Sequence, residues 1–276
     1  MTGDVSIRER AFSWRAFSWR AFSWRAFFWL SFCWLALSWF AVGVAVPAAA
    51  QSPPLQSPSR SQPAADSSIA PFFAHYLADW KTINVGTSDL ELRQDTQPDR
   101  YLYTWTIRAR GIFRLYRAEV TQKSWLSIHD GHVRPESYRA EDGTSRVQLD
   151  FDWNTKRARG TSEMKPVDIE LKDGTQDVMS IQVEVMLDLK NGRLPHTFQI
   201  LDNDELKEFV YTPEGAAKLK TAVGDLDTVV VASSRAGNNR ILRMWFAPSL
   251  GFMPVQAERT RDGKLEFAMR IRSLNR

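Results

Sequence analysis

The sequence predicts a mainly β fold: one strongly curved antiparallel sheet, a half-barrel, wrapped around a single apolar helix. Three observations predict it. Period-two alternation dominates residues 71–276, as in Tyr101-Leu-Tyr-Thr-Trp-Thr-Ile107, where Tyr101, Tyr103, Trp105 and Ile107 share a face. Asp-Gly or Asn-Gly pairs stand at 130–131, 142–143, 173–174, 191–192 and 262–263, supplying the positive φ angles of tight hairpins. One segment, Asp177–Lys190, breaks the alternation. A sheet carrying one apolar helix must bury that helix against its concave face.

Taken in order, the alternation and turns place strands near 72–80, 84–94, 100–109, 117–128, 132–140, 145–153 and 157–163. The helix follows over 177–190, because Val178, Ile181, Val185 and Leu189 recur at helical spacing. Asp177 can cap its start and Asn191-Gly192 can end it, although its β-branched content leaves a strand open. Strands resume near 197–202, 206–211, 226–234, 240–247, 253–261 and 264–273, with Glu214–Thr221 read as a second short helix or turn. Pro248 and Pro254 bracket a loop that ends the strand at Met244-Trp-Phe246.

The chain is organised in three parts. Residues 1–50 carry Arg8, Arg10, Arg15, Arg20 and Arg25, then an uncharged apolar run over 26–46, then Pro47 and Ala48-Ala49-Ala50. That order reads as an export signal cut after Ala50, with a periplasmic mature chain. The run is 21 residues long, enough to span a bilayer, so an inner-membrane anchor through 26–46 is the alternative. The leader repeats Arg-Ala-Phe-Ser-Trp from residue 10; a five-residue step spirals the tryptophans around a helix instead of lining them up. Residues 51–70, rich in Ser, Pro, Gln and Ala, read as a flexible linker. Residues 71–276 read as one β-rich domain.

Composition excludes several functions. The chain carries +4, of which the first fifty residues contribute +3 (five Arg against Asp4 and Glu9). The remainder is near neutral and lacks the basic footprint of a nucleic-acid binder. The single cysteine, Cys33, sits in the leader, so the mature chain has no thiol chemistry or zinc-thiolate site.

Each chemical candidate has a plain structural reading beside it. His129-Asp130-Gly131-His132 reads as a solvated hairpin tip, since a zinc site needs three or four converging ligands. Asp150 and Asp152 share a face opposite Phe151 and Trp153; paired carboxylates can serve a hydrolase but more simply form a wet face. Asp202-Asn-Asp-Glu205 lacks the glycine of a calcium loop and reads as a turn. Arg108, Arg110, Arg114 and Arg117 surround Gly111-Ile-Phe-Arg-Leu-Tyr116, an arrangement suited to an anionic headgroup or to a wet loop with packed aromatics. No motif for a phosphate, nucleophile elbow or metal is present, so no metal, cofactor or catalytic residue is expected.

The order of features carries a resemblance. An aromatic hairpin over Tyr76–Arg93 is followed by His132-Val-Arg-Pro-Glu-Ser-Tyr138, Phe151-Asp-Trp153 and Asp177-Val-Met-Ser180. Met244-Trp-Phe-Ala-Pro248 and Met253-Pro-Val255 close the series. Over about residues 72–273 this resembles the exported bacterial family of domain of unknown function 3108. That family's layout is similar to the periplasmic lipoprotein carriers, half-barrels that hold acyl chains. The resemblance implies a binding module for an apolar or amphipathic envelope molecule, lipid or lipoprotein-like. Tyr103, Trp105, Phe151, Trp153, Val185 and Trp245 are the expected apolar wall. The alternative is a non-catalytic structural or assembly protein of the cell envelope. Expected partners are a lipid or an envelope protein, not nucleic acid, with a membrane engaged only through an uncleaved leader.

Overall fold

In a computed structural model of the chain, the described residues are 68–115, 119–143 and 145–275. All lie within one compact unit, Ala64–Arg276. The leader, and the linker up to residue 67, lie outside the described residues. Among the described residues no helix is long and apolar enough to cross a membrane.

Strands β1 (Phe72–Trp80), β2 (Ile83–Gln94), β3 (Arg100–Ala109), β4 (Glu119–His129), β5 (His132–Glu141), β6 (Arg146–Asp152), β7 (Arg157–Ser162) and β8 (Lys165–Glu170) form an antiparallel meander. A two-residue strand β9 (Gln176–Asp177) leads into helix α1 (Ser180–Lys190). Then come β10 (Thr197–Asp202), β11 (Glu205–Thr221), β12 (Gly224–Ser234), β13 (Arg240–Ala247), β14 (Met253–Arg261) and β15 (Lys264–Asn275). β15 pairs with β1 and joins the two meanders into one sheet ordered 8-7-6-5-4-3-2-1-15-14-13-12-11-10-9. All neighbours are antiparallel except β9 and β10. The sheet does not close, and it curves as a half-barrel around α1. Extra residues on β2, β5, β11, β14 and β15 shift the register against their neighbours and supply bends, because each kinks the ladder and sharpens its twist.

Alternation selects the concave face: on β6, Val147, Leu149 and Phe151 are buried while Gln148, Asp150 and Asp152 are exposed. Inward residues from both meanders and from α1 make one core cluster. Ile69, within the stretch read as linker, is buried in it. Gly86 is required by close approach: a Cβ there would lie 2.1 Å from the Arg108 carbonyl oxygen on β3.

Two expectations are corrected. Glu214–Thr221 is not a helix; it continues β11, paired from Gly215 to Thr221 with β12. Pro213 and Gly215 look like a break, but they flank a bulge that the β12 ladder spans. A strand, β8, was not expected after 163. Its hairpin turns on Glu163 and Met164, at φ 50° and 66°, conformations that non-glycine residues seldom adopt and that leave no sequence signal. Of the five Gly-containing turn signals, 130–131, 142–143 and 262–263 close hairpins; 173–174 lies between β8 and β9, and 191–192 ends α1.

Candidate functional site

The interior is built around α1, and the chain starts that helix with a reciprocal device. The Asp177 carboxylate accepts the Met179 and Ser180 backbone N–H groups at 2.7 and 2.8 Å, while Ser180 Oγ accepts the Asp177 N–H at 2.9 Å. Side chain and backbone thus satisfy each other, as in a capping box. The second Asp177 oxygen accepts the Ser124 hydroxyl of β4 at 2.6 Å, tying the helix start to the sheet. Burial pushes the Asp177 carboxyl above its ordinary range, and the hydrogen bonds from Ser124, Ser180 and Met179 pull it part of the way back.

Three further polar links run along the helix. Tyr103 on β3 donates its hydroxyl to Gln182 Oε1 at 3.0 Å. Glu184 takes His132 Nδ1 at 2.8 Å and the Val133 N–H at 2.5 Å. Asp188 pairs with Arg193 Nε at 2.7 Å, and the same guanidinium donates to the Gly131 carbonyl at 2.5 Å. β5 begins pairing with β6 only at Ser137, which leaves Val133 at an open edge. Its N–H goes to Glu184 and its carbonyl to Gln176 Nε2 at 2.8 Å, so side chains replace the missing strand. Burial raises the Glu184 carboxyl most; its two donors lower it and the Asp188 charge raises it again.

The helix stops as its sequence dictates. Gly192 sits at φ 68°, its N–H bonds to the Leu189 carbonyl, and the Arg193 N–H bonds to the Asp188 carbonyl at 2.8 Å. That pair of bonds is the Schellman arrangement. Between the ends, every residue from Ile181 to Leu189 except Gln182 is buried.

The six expected wall residues fall in different places. Tyr103, Trp105, Phe151 and Val185 all belong to the core cluster; Trp153 and Trp245 pack on its margin, half-buried. Tyr103 and Val185 are 0% exposed, which leaves no water-sized space beside either. Trp105 donates its indole N–H to Ser88 Oγ at 2.6 Å. Phe151 stacks on Trp153 at 6.5 Å, whose indole N–H meets the Pro135 carbonyl at 2.7 Å and whose ring lies under Arg134. Trp245 stands between buried Met244 and Phe246 and is itself half-buried, at a register shift against β14.

Asp150 and Asp152 are both exposed and otherwise engaged. Asp150 pairs with Arg139 at 2.6 Å, and Asp152 accepts the Asn154 and Thr155 N–H groups of the β6–β7 turn. Asp202–Glu205 closes the β10–β11 hairpin, with Asp202 paired to Lys207 at 2.8 Å. His129 and His132 flank the β4–β5 turn. His132 has a role its own neighbourhood does not show, because its partner Glu184 lies 52 residues on. His132, Glu184 and Asp188 offer ligand atoms within 4.8 Å of one another, close enough to share a cation. Their carboxylates already hold protein donors: His132 and Val133 on Glu184, Arg193 on Asp188.

Sequence reasoning missed Ser124, Gln176, Glu184, Asp188 and Arg193. The available signal was Glu184 and Asp188, one helical turn apart in an otherwise apolar helix. A carboxylate at that spacing amid Val, Met and Leu must find a buried partner or stay unfolded.

No curated protein matches the chain. Among the solved structures that match, two have a TM-score of 0.31, each match covering 74% of this chain and 95% of the other. One, from Bacteroides fragilis NCTC 9343, is named as an exported protein with a YmcC-like fold and is 8% identical. The other, from Parabacteroides distasonis ATCC 8503, is named as a lipoprotein and is 9% identical. Likeness at that level carries nothing about this chain's activity. A family model, however, matches residues 75–270, nearly the whole meander from β1 to β15: the chain belongs to the family of proteins of unknown function DUF3108.

Proposed function

We propose that this protein is an exported, non-catalytic module of the cell envelope that acts through its outer surface and rim, with the half-barrel interior serving as its support. The basic-apolar-small order of residues 1–50 supports the export half of this reading. One observation carries the other half. Helix α1 is buried on nearly all sides, and its Val185 and the β3 residue Tyr103, which bonds to the helix, are 0% exposed, which supports an interior filled by the protein itself.

For an acyl chain to take the place of α1, the helix would have to leave the sheet. That would expose Ile181, Val183, Val185, Met186, Leu187 and Leu189, each worth roughly 1.5–3 kcal/mol of burial, or on the order of 10 kcal/mol together. It would also unpair Asp177, Glu184 and Asp188. The total is comparable with the whole stability of an ordinary domain, about 5–15 kcal/mol. Undocking the helix is therefore close to unfolding the protein.

Native mass spectrometry of protein purified from its own envelope tests the reading. A mass free of bound lipid is expected. A lipid held one-to-one, and lost when Val185 is enlarged to Phe, would restore the apolar-ligand reading in its place.

A further inference from the structure

The large exposed apolar side chains are not scattered evenly. Of the seven among the described residues, Ile83, Ile112 and Leu115 gather at one end of the sheet, at 59%, 64% and 85% exposure. Ile83 opens β2, opposite Trp80 across the β1–β2 turn. Ile112 and Leu115 lie on a short 3-10 turn, Gly111–Leu115, that follows β3. The Arg110 N–H bonds to the Val85 carbonyl at 2.8 Å, which sets this turn beside the start of β2. Phe113 is half-buried and points the turn's other side chains outward, and no residue of the turn is fully buried.

Basic side chains surround this tip. Lys81, Arg110 and Arg114 are exposed, and neither 80–83 nor 109–115 contains an acidic residue. On the adjoining side, the β14–β15 turn brings exposed Arg261 and Lys264 to the same end, since β15 pairs with β1 there. Of the acids in that neighbourhood, Glu266 is shared by Arg240, Arg259 and Arg261, and Asp262, exposed in the turn itself, accepts from the Asn239 amide. The β1–β2 and β3–β4 tip itself is positive through Lys81, Arg110 and Arg114, with aliphatic side chains at its outermost points.

From this juxtaposition we infer that the β1–β2 and β3–β4 end of the sheet docks on a bilayer surface bearing anionic headgroups. The arginines and lysines meet the headgroup phosphates, and Ile83, Ile112 and Leu115 enter the acyl boundary. Charge complementarity selects this occupant. A protein partner's apolar patch would gain nothing from the surrounding cations, whereas an anionic leaflet attracts each basic residue at its surface. Aliphatic tips without a buried role then have a medium to enter. The sequence offered an anionic headgroup as one reading of the arginines around 111–116; the fold brings Lys81 and Ile83 to the same tip.

The test uses the full-length chain reconstituted in vesicles, so the leader's own membrane affinity is common to every sample. Cys33 is replaced by Ser, and a fluorophore is placed on Leu115→Cys or, as control, on Asn154→Cys in the β6–β7 turn at the opposite end of the sheet. Vesicles are phosphatidylcholine with or without phosphatidylglycerol, and carry a quencher on the acyl chains. Quenching at position 115 but not at 154 is expected, stronger with phosphatidylglycerol and reversed by salt. Arg110→Ser and Arg114→Ser together should lower the docked fraction more than tenfold, at about fivefold per charge. Ile112→Asp, at a site too exposed to disturb folding, should lower it at unchanged charge on the arginines. A probe at 115 as unquenched as that at 154, or quenching indifferent to phosphatidylglycerol and salt, overturns the inference.

Discussion

Replacing Asp177 by Ala should separate the helix-filled interior from every alternative in which α1 rests loosely on the sheet. The carboxylate accepts three buried donors, the Met179 N–H, the Ser180 N–H and the Ser124 hydroxyl, at 2.7, 2.8 and 2.6 Å. Stranding a buried donor costs about 1–3 kcal/mol. Two forces reduce the sum: the Ser124 hydroxyl can rotate to another acceptor, and removing a carboxyl already disfavoured by burial returns some free energy. A net loss of about 3 kcal/mol or more remains for Asp177→Ala. Asp177→Asn keeps an acceptor for the two N–H groups and lets Ser124 accept instead of donate, so its cost should be about 1 kcal/mol. For a domain of this size 1 kcal/mol moves Tm by about 2–4 °C, so the alanine variant should melt about 6–12 °C lower. Urea titration followed by tryptophan emission gives the free energies, and circular dichroism gives the melting temperatures. An alanine variant within about 1 kcal/mol of the natural protein, or an asparagine variant as damaged as the alanine one, would refute the reasoning.

Two further outcomes follow from the same seam. Burial holds the Glu184 carboxyl above its ordinary range, so the native state binds that proton more tightly than the unfolded chain. The associated stability is fully present below the ordinary carboxylate range and is lost as pH rises through the raised value. The stability difference between the natural protein and Glu184→Gln should therefore shift in the variant's favour from acid towards neutral pH. Urea titrations at several pH values read this difference, and a flat or opposite trend would exclude it. Arg193→Ala leaves Asp188, only 5% exposed, without its ion-pair partner. A loss of about 3–5 kcal/mol is expected, with part recovered by adding Asp188→Asn. Equal stability of the single and double variants in the same titration would show that the pair does not anchor the helix end.

The surface electrostatics ask for less. A ladder of charges crosses the outer face, from Glu214–Arg243 through Glu258–Arg270–Asp79 to His75–Asp89–Arg108–Glu119. Most of these groups remain partly wet, and exposed pairs each contribute at most about 1 kcal/mol. Their arrangement keeps the convex face polar, and it leaves the uncompensated positive charge at the rim beside Ile83 and Ile112.

Much of the fold was legible before any coordinates. Period-two alternation is local: whether Leu149 and Phe151 face together follows from the backbone alone, so most strands appear at their expected positions. The start and stop of α1 were equally local, since Asp177 and Asn191-Gly192 act on neighbours within a few residues. β8 and the distal half of β11 were not legible. Glu163-Met164 turns without a glycine, and Ala216–Thr221 takes its conformation from the β12 ladder against its own helical preference.

The candidate site shows the same division. Sequence alone determined that residues 71–276 build an antiparallel sheet with one apolar helix, because hydrophobic period and turn chemistry are written in adjacent residues. Only the tertiary structure decided that Glu184 would meet His132 and the open edge of β5, and that Asp188 would meet Arg193 beside Gly131. It alone decided, too, that Ile83 and Ile112 would share a tip. Those pairings join residues separated along the chain, and their chemistry arises only when the curl of the sheet brings the partners together.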